Sequence, residues 1–310
     1  MENTWLKRSL LSGVLATLSV SPLSAEIIEV FATGVDPTDP STYNNVQQEW
    51  RPTCWAASGS NVIGHWQQHH APESTAPKSA QEVYDSYIGV YSNHTGGHPE
   101  RLYQWWLGHH GAGILGGYNP IEPNFSQSGG HYTDVYATID DVKEVAWAYA
   151  AGFSGTSPTG TYEGFFTTTL SRAVYYALTQ GYALAINVPN DVHSLTIYGA
   201  SFDTETNLLT SVWLCDSSGY SFDKNEISEV VVGLRTGSDG YEYLSLLGYN
   251  NGSEYSSTYD RRKYIENVYF LGNSLTDTIN FVYSIPEPSA FGLIAGLGVI
   301  AFAGIRRRRK

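Results

Sequence analysis

The hydrophobic residues of this chain follow a helical period in its first part and a strand period in its last third. Leu170, Val174 and Leu178 lie four residues apart, which places them on one face of a helix. Residues 193–202 instead alternate with a period of two, the pattern of a half-buried strand. Helices are predicted over residues 54–70, 82–91, 99–108, 139–151 and 168–179.

Strands are predicted mainly after Gly181, which ends the last helix. They cover residues 27–31, 182–188, 193–202, 208–216, 230–234, 241–247 and 267–271. Residues 203–207 are predicted to turn the chain, so that the strands on either side form an antiparallel hairpin. Helices followed by a mostly antiparallel sheet indicate the α+β class.

Composition excludes several kinds of site. The 310 residues contain two cysteines, which is too few for a disulfide scaffold or a four-cysteine zinc site. The balance of 17 Lys+Arg against 30 Asp+Glu makes nucleic acid an unfavourable partner. His65 and His69 have a metal-compatible spacing, but no third ligand is evident. We therefore expect a polar helix face there, with no metal and no cofactor.

The N-terminus has the composition of a targeting signal. Lys7 and Arg8 precede an apolar stretch at residues 10–20, and small residues follow as far as Ala25. This order is typical of a secretory signal peptide, cleaved after Ala25. An uncleaved membrane anchor is the alternative.

The C-terminus carries a second signal. Pro286-Glu287-Pro288 precedes a mostly apolar segment, residues 290–305, and a basic cluster at residues 306–310. This tail resembles the PEP-CTERM sorting signal, which implies a Gram-negative envelope protein processed by an exosortase-type enzyme and released or attached at the surface. The apolar segment would span about 24 Å as a helix, slightly less than a ~30 Å hydrocarbon core. The apolar segment implies transient or permanent membrane anchoring. A plain tail anchor is the alternative to the sorting signal.

The two signals divide the chain into three parts. Residues 1–25 form the predicted signal peptide, residues 26–284 the folded domain, and residues 285–310 the sorting tail. The folded part shows no internal repeat.

Cys54 is the candidate nucleophile, because it begins a predicted helix whose positive dipole end favours a thiolate. A cysteine hydrolase also needs a histidine and a polar group that orients the imidazole. His193 opens one strand of the predicted hairpin and Asp216 closes the other, so antiparallel pairing sets them at the same end of the sheet. We therefore predict Cys54, His193 and Asp216 as catalytic residues.

Two alternatives use the same residues differently. If Asp216 faces the site, Cys215 faces away, because successive strand residues point in opposite directions. A catalytic site and a Cys54–Cys215 disulfide therefore nearly exclude each other. The disulfide would suit a non-catalytic surface protein. The three predicted catalytic residues would also serve acyl transfer or amidase chemistry, as in transglutaminase-like enzymes.

Residues 53–66, TCWAASGSNVIGHW, resemble the nucleophile helix of the IdeS/Mac-type immunoglobulin-degrading cysteine endopeptidases. Residues 170–219 are similar to the later part of that family, with a helix, a glycine, a strand that begins at His193 and a strand that ends in Cys215-Asp216. The resemblance implies a papain-like fold and hydrolysis of peptide bonds in an extracellular protein substrate. It assigns Cys54 as nucleophile, His193 as general base and acid, and Asp216 as the residue that orients the imidazole.

Two positions depart from that family. Asn44 stands where the family has a lysine that contributes to the oxyanion hole, and Ser218 stands where it has a second acid. Gln47 or Gln48 must then supply the oxyanion donor with the backbone N–H of Cys54. Gln48 has the six-residue spacing to the cysteine that papain-like enzymes use. The departures leave the substrate protein open.

Overall fold

A computed structural model describes the chain between residues 26 and 272, with gaps. The described residues are 26–48, 53–72, 78–90, 97–108, 129–132, 134–136, 138–150, 165–188, 193–218, 226–236, 242–249 and 264–272. The predicted signal peptide and sorting tail lie outside these residues, so the three-part division of the chain stays a prediction.

Five α-helices are found in the described residues, and local sequence accounts for several of their ends. They are α1 (Cys54–His69), α2 (Ala80–Val90), α3 (Pro99–Leu107), α4 (Ile139–Val145) and α5 (Phe165–Thr179). Pro99 occupies the first turn of α3, and Gly108 ends that helix in the left-handed conformation at φ 107°. Thr138 and Asp141 form a reciprocal capping box at the start of α4.

The strands form one sheet in which every pairing is antiparallel among the described residues. They are β1 (Ile27–Phe31), β2 (Ala146–Ala150), β3 (Leu184–Val188), β4 (His193–Asp203), β5 (Leu208–Cys215), β6 (Ser228–Thr236), β7 (Glu242–Leu247) and β8 (Asn267–Leu271). Their order is β2-β8-β3-β4-β5-β6-β7, and β1 pairs with β4. Helices together with an antiparallel sheet confirm the α+β class.

Strand β4 is the centre of the sheet that carries the site. One edge pairs with β5, and the other is shared by β3 near His193 and by β1 near Asp203. The turn between β4 and β5 places Asn207 at φ 57°, and the Asp203 carboxylate accepts hydrogen bonds from the backbone N–H groups of Glu205 and Thr206. The predicted hairpin is thus confirmed, with its open end at His193.

One predicted element is wrong in its second half. The helix predicted over residues 139–151 ends at Val145, and Ala146–Ala150 forms β2 instead. Alanine favours helices, but β2 pairs along its whole length with β8, from Ala146 opposite Leu271 to Ala150 opposite Asn267. Sheet pairing with a distant segment therefore overrides the local preference.

Helix α1 is buried along most of its length and packs against α2, α3, β3, β4 and β8. Two glycines permit this close packing. A side chain at Gly64 would lie 2.7 Å from the Ala80 Cβ, and one at Gly59 would lie 3.0 Å from Leu102. These two contacts bring α1 close to α2 and α3, and the same helix also packs against the sheet through β3, β4 and β8.

None of the helices in the described segments combines the length and the apolar character needed to cross a bilayer. The expected anchoring segment, residues 290–305, lies outside those segments.

Candidate active site

His193 and Asp216, from neighbouring strands, are in direct contact. His193 is the first residue of β4, and Asp216 directly follows β5. The His193 Nε2 lies 3.0 Å from the Asp216 Oδ1, and both side chains are buried. Since a carboxylate only accepts, the Nε2–H of the imidazole is the donor. The hairpin therefore brings together the two residues that the sequence predicts at its open end.

Cys54 reaches the same imidazole from the helical side. It is the first residue of α1, it is buried, and its sulfur hydrogen-bonds the His193 side chain. Because Nε2 is engaged by Asp216, Nδ1 is the ring nitrogen left for the sulfur. The preceding residue is fixed by a 2.7 Å hydrogen bond between the hydroxyls of Thr53 and Tyr84. The three predicted catalytic residues thus lie in one connected group.

The electrostatics of the group favour a charged imidazole. Burial alone lowers the pKa of His193, but hydrogen bonds to Asp216 and Cys54, and the charges of both, outweigh it and raise the pKa to about 10. Burial likewise opposes ionisation of Asp216, but its bonds to His193 and Ser218 and the His193 charge leave the Asp216 pKa below its ordinary value. The group thus places a positively charged imidazole between the Asp216 carboxylate and the Cys54 sulfur.

Two further residues hold the Asp216 carboxylate. Ser218 donates to Oδ1 through its hydroxyl, at 2.5 Å, and through its backbone N–H, at 3.0 Å. The Tyr249 hydroxyl donates to Oδ2 at 3.1 Å, and its ring lies nearly parallel to the His193 ring, 12° apart. The sequence does not predict this role for Ser218, which stands where the resembled family has a second acid. Tyr249 follows β7 and carries no local signal that would link it to Asp216.

Cys215 is separated from the group by the alternation of strand residues. Its sulfur lies 3.8 Å from the Asn61 Nδ2, and both cysteines are free thiols. Burial raises the pKa of Cys215 to about 12, so this thiol stays neutral and unreactive. Since neither thiol is oxidised, the alternative prediction of a Cys54–Cys215 disulfide is wrong.

The two candidate oxyanion donors differ in environment. Gln47 is exposed, and its Nε2 turns back to the Asn45 backbone oxygen, 3.5 Å away. Gln48 is half-buried, and residues 49–52, which join it to α1, lie outside the described residues. These environments make Gln48 the better candidate.

Asn44 lies away from the candidate site. Its side chain donates to the Gln68 Oε1 at 3.4 Å, near the C-terminal end of α1. Fourteen residues separate Gln68 from Cys54, or about 20 Å along a helix. The position that holds a lysine in the resembled family therefore takes no part in this site.

The expected polar helix face at His65 is wrong. His65 is buried, and its Nε2 lies 3.0 Å from the Thr33 backbone oxygen. Burial lowers its pKa to about 3, so the ring is neutral. Among the described segments, no cluster of three or more His, Cys, Asp or Glu side chains is arranged to hold a metal ion.

Comparison with known proteins identifies the C-terminal tail. The model of the PEP-CTERM protein-sorting motif matches residues 284–309. Since this motif marks proteins exported to the cell surface of Gram-negative bacteria and processed by an exosortase, the protein is exported and sorted through this tail. No curated protein is significantly similar in sequence. The relationship to IdeS/Mac-type endopeptidases, suggested by residues 53–66 and 170–219, therefore has no support beyond the resemblance itself.

Proposed function

We propose that this protein is an exported cysteine endopeptidase that hydrolyses peptide bonds of an extracellular protein. The observation that supports the proposal most strongly is the position of the His193 imidazole, which hydrogen-bonds the Cys54 sulfur and the Asp216 carboxylate at once. A nucleophile, a proton carrier and an orienting acid in contact are the parts that covalent acyl transfer requires.

In the proposed reaction, the Cys54 thiolate attacks the substrate carbonyl carbon and forms a C–S bond. The tetrahedral intermediate collapses, the C–N bond breaks, and the His193 imidazolium gives its proton to the leaving amine. Water then attacks the thioester and gives a proton to the neutral imidazole. The C–S bond breaks, the acid product leaves, and the thiolate–imidazolium pair is restored.

Asp216 and Gln48 have supporting parts in this proposal. Asp216 fixes the imidazole through Nε2 and stabilises its positive charge, while Ser218 and Tyr249 fix Asp216. The oxyanion is stabilised by the side chain of Gln48 and the backbone N–H of Cys54. The N–H groups in the first turn of a helix have no partner within the helix, so the N–H of Cys54 suits this role.

The arrangement of secondary structure supports a papain-like fold for the domain. The nucleophile begins a buried helix that packs against an antiparallel sheet, and the histidine and the acid come from two adjacent strands of that sheet. The order along the chain, with cysteine first, then histidine, then acid, is the order of that fold.

Incubation of the secreted protein with denatured casein tests the proposal. We expect new peptide termini, identified by mass spectrometry, and their loss in Cys54→Ala. Ser60→Ala is the matched control, because it also removes one buried side-chain atom from α1, and the Ser60 hydroxyl has no hydrogen-bond partner among the residues that the structure describes. A folded Cys54→Ala variant that cleaves casein normally would refute the proposal.

The same incubation separates hydrolysis from acyl transfer. With monodansylcadaverine as amine acceptor, an endopeptidase leaves casein cleaved and mostly unlabelled. Labelled, uncleaved casein would instead assign the same three residues to a transglutaminase-like enzyme.

A further inference from the structure

Asn61 joins the chain segments that carry the proposed catalytic residues. It lies in α1, seven residues after Cys54, and it is fully buried. Its Oδ1 accepts from the backbone N–H of Val46 at 2.9 Å. Its Nδ2 donates to the Thr196 Oγ1 at 3.0 Å and to the Ser217 Oγ at 3.2 Å, and the Cys215 sulfur next to Asp216 lies 3.8 Å from the same nitrogen. Both amide hydrogens and the amide oxygen are therefore used.

Each partner of Asn61 is close in sequence to a residue of the proposed site. Thr196 is three residues after His193 in β4, and Ser217 directly follows Asp216. Val46 is two residues before Gln48. A single amide thus fixes the nucleophile helix against the histidine strand, the acid-bearing turn and the segment of the oxyanion donor.

We propose that Asn61 is a positioning residue that sets the distance between the Cys54 sulfur and the His193 imidazole. This inference rests on the proposed endopeptidase function. Proton transfer and nucleophilic attack are steeply sensitive to distance, and a displacement of about 1 Å costs on the order of 100-fold in rate. The amide holds α1 in register with β4 and with the turn after β5, so the sulfur meets Nδ1 while Asp216 keeps Nε2.

An apolar residue would not perform this role. A leucine of similar size would fill the space, but it would leave the Val46 N–H and two hydroxyls without this partner in a buried region. Those groups would form hydrogen bonds with other groups or with water. Because the bonds to residue 61 would be lost, α1 could shift along β4. The hydrogen bonds define a register that packing alone leaves open.

The test uses the alkylation of Cys54 by iodoacetamide, which needs no knowledge of the substrate. The measured quantity is the alkylation rate at pH 6 divided by the rate at pH 8. This rate ratio reports the thiolate–imidazolium pair, because the ratio falls when the imidazolium moves away from the sulfur. We expect this ratio to fall at least tenfold in Asn61→Ala and in the double variant Thr196→Val with Ser217→Ala. Thr196→Ser keeps the hydroxyl and should keep the ratio.

Ser171→Ala is the control for a purely structural effect. It removes a buried hydroxyl that accepts the Leu209 N–H at 3.1 Å, in α5, outside the Asn61 network. Its melting temperature should fall, while its rate ratio stays within twofold of the parent protein.

The outcomes separate this inference from the function on which it rests. If Asn61→Ala does not fold, the double variant decides. Folded variants of either kind with the parent's rate ratio would overturn the positioning role and leave the endopeptidase proposal intact. A parent protein that shows no Cys54 alkylation at pH 6 and no cleavage of casein would overturn both.

Discussion

The Nε2 of His193 lies 3.0 Å from the Oδ1 of Asp216, and the two side chains are only 8% and 0% exposed. A buried charge pair needs good geometry and further hydrogen bonds, and Ser218 and Tyr249 supply them on the Asp216 side. On the other side, the imidazole meets the Cys54 sulfur. The pair therefore orients the ring and also raises its proton affinity.

Removal of the Asp216 charge should slow the proposed reaction strongly. Asp216→Asn keeps the shape of the side chain and one acceptor oxygen, but it withdraws the negative charge that helps to raise the His193 pKa. We expect casein turnover to fall by a factor on the order of 100 or more while the protein stays folded. Asp203→Asn, in the distant exposed turn of the same hairpin, is the control and should retain parental turnover. Unchanged turnover in Asp216→Asn would remove Asp216 from the mechanism.

Ser218 should set the acid limit of activity. Its hydrogen bonds lower the pKa of Asp216, and the alanine variant loses the one from the hydroxyl. The Asp216 pKa then rises, and since protonated Asp216 has no negative charge to stabilise the His193 imidazolium, the acid limb of the pH–turnover profile moves to higher pH. Profiles measured down to pH 3 will reveal the shift. Superimposable acid limbs would show that Ser218 does not act through Asp216.

Alanine variants of Gln47 and Gln48 test which glutamine stabilises the oxyanion. If Gln48 stabilises the oxyanion, Gln48→Ala should lower turnover by about 100-fold, corresponding to a barrier increase of roughly 3 kcal/mol, without slowing alkylation of Cys54. Gln47→Ala should be nearly neutral, because the Gln47 side chain is exposed and bonded to Asn45. The reverse result would transfer the role to Gln47.

The stability of the fold should depend on pH through the same charge pair. The folded His193 pKa of about 10 lies above the ordinary 6.5, so its stabilisation is complete below pH 6.5 and is lost as the pH rises to 10. Asp216 has a folded pKa below the ordinary 3.8, so its stabilisation is present above that value and is lost in more acidic solution.

The pair therefore stabilises the fold most between about pH 4 and pH 6.5. Urea unfolding of the parent protein and Asp216→Asn should give the largest difference in free energy within that window. A difference that is constant from pH 4 to pH 10 would contradict the predicted linkage.

Much of this arrangement could be predicted from local sequence. The hairpin rests on strand alternation on both sides of residues 203–207, and its pairing followed from that pattern and from the turn composition. The contact of His193 with Asp216 then required only antiparallel geometry. The start of α1 at Cys54 was likewise predicted from local sequence.

The rest depends on contacts between distant parts of the chain. Strand β2 looked helical because its alanines favour helices, and only pairing with β8, more than a hundred residues later, makes it a strand. Tyr249 reaches Asp216 from the end of β7, and no spacing rule connects them. His65 has the spacing of an exposed polar face, but packing against residues near Thr33 buries it.

In the proposed enzyme, the sulfur of Cys54 and the imidazole of His193 form a reactive ion pair. The most direct test is the rate of iodoacetamide alkylation of the native protein from pH 4 to pH 9, with mass spectrometry to separate the Cys54 and Cys215 peptides. We predict that Cys54 reacts at pH 6 within about threefold of its rate at pH 8, as a thiolate held by an imidazolium does, and that Cys215 stays unmodified. A Cys54 rate that falls about 80-fold between pH 8 and pH 6, as expected of an isolated thiol with a pKa near 8.5, would contradict the account.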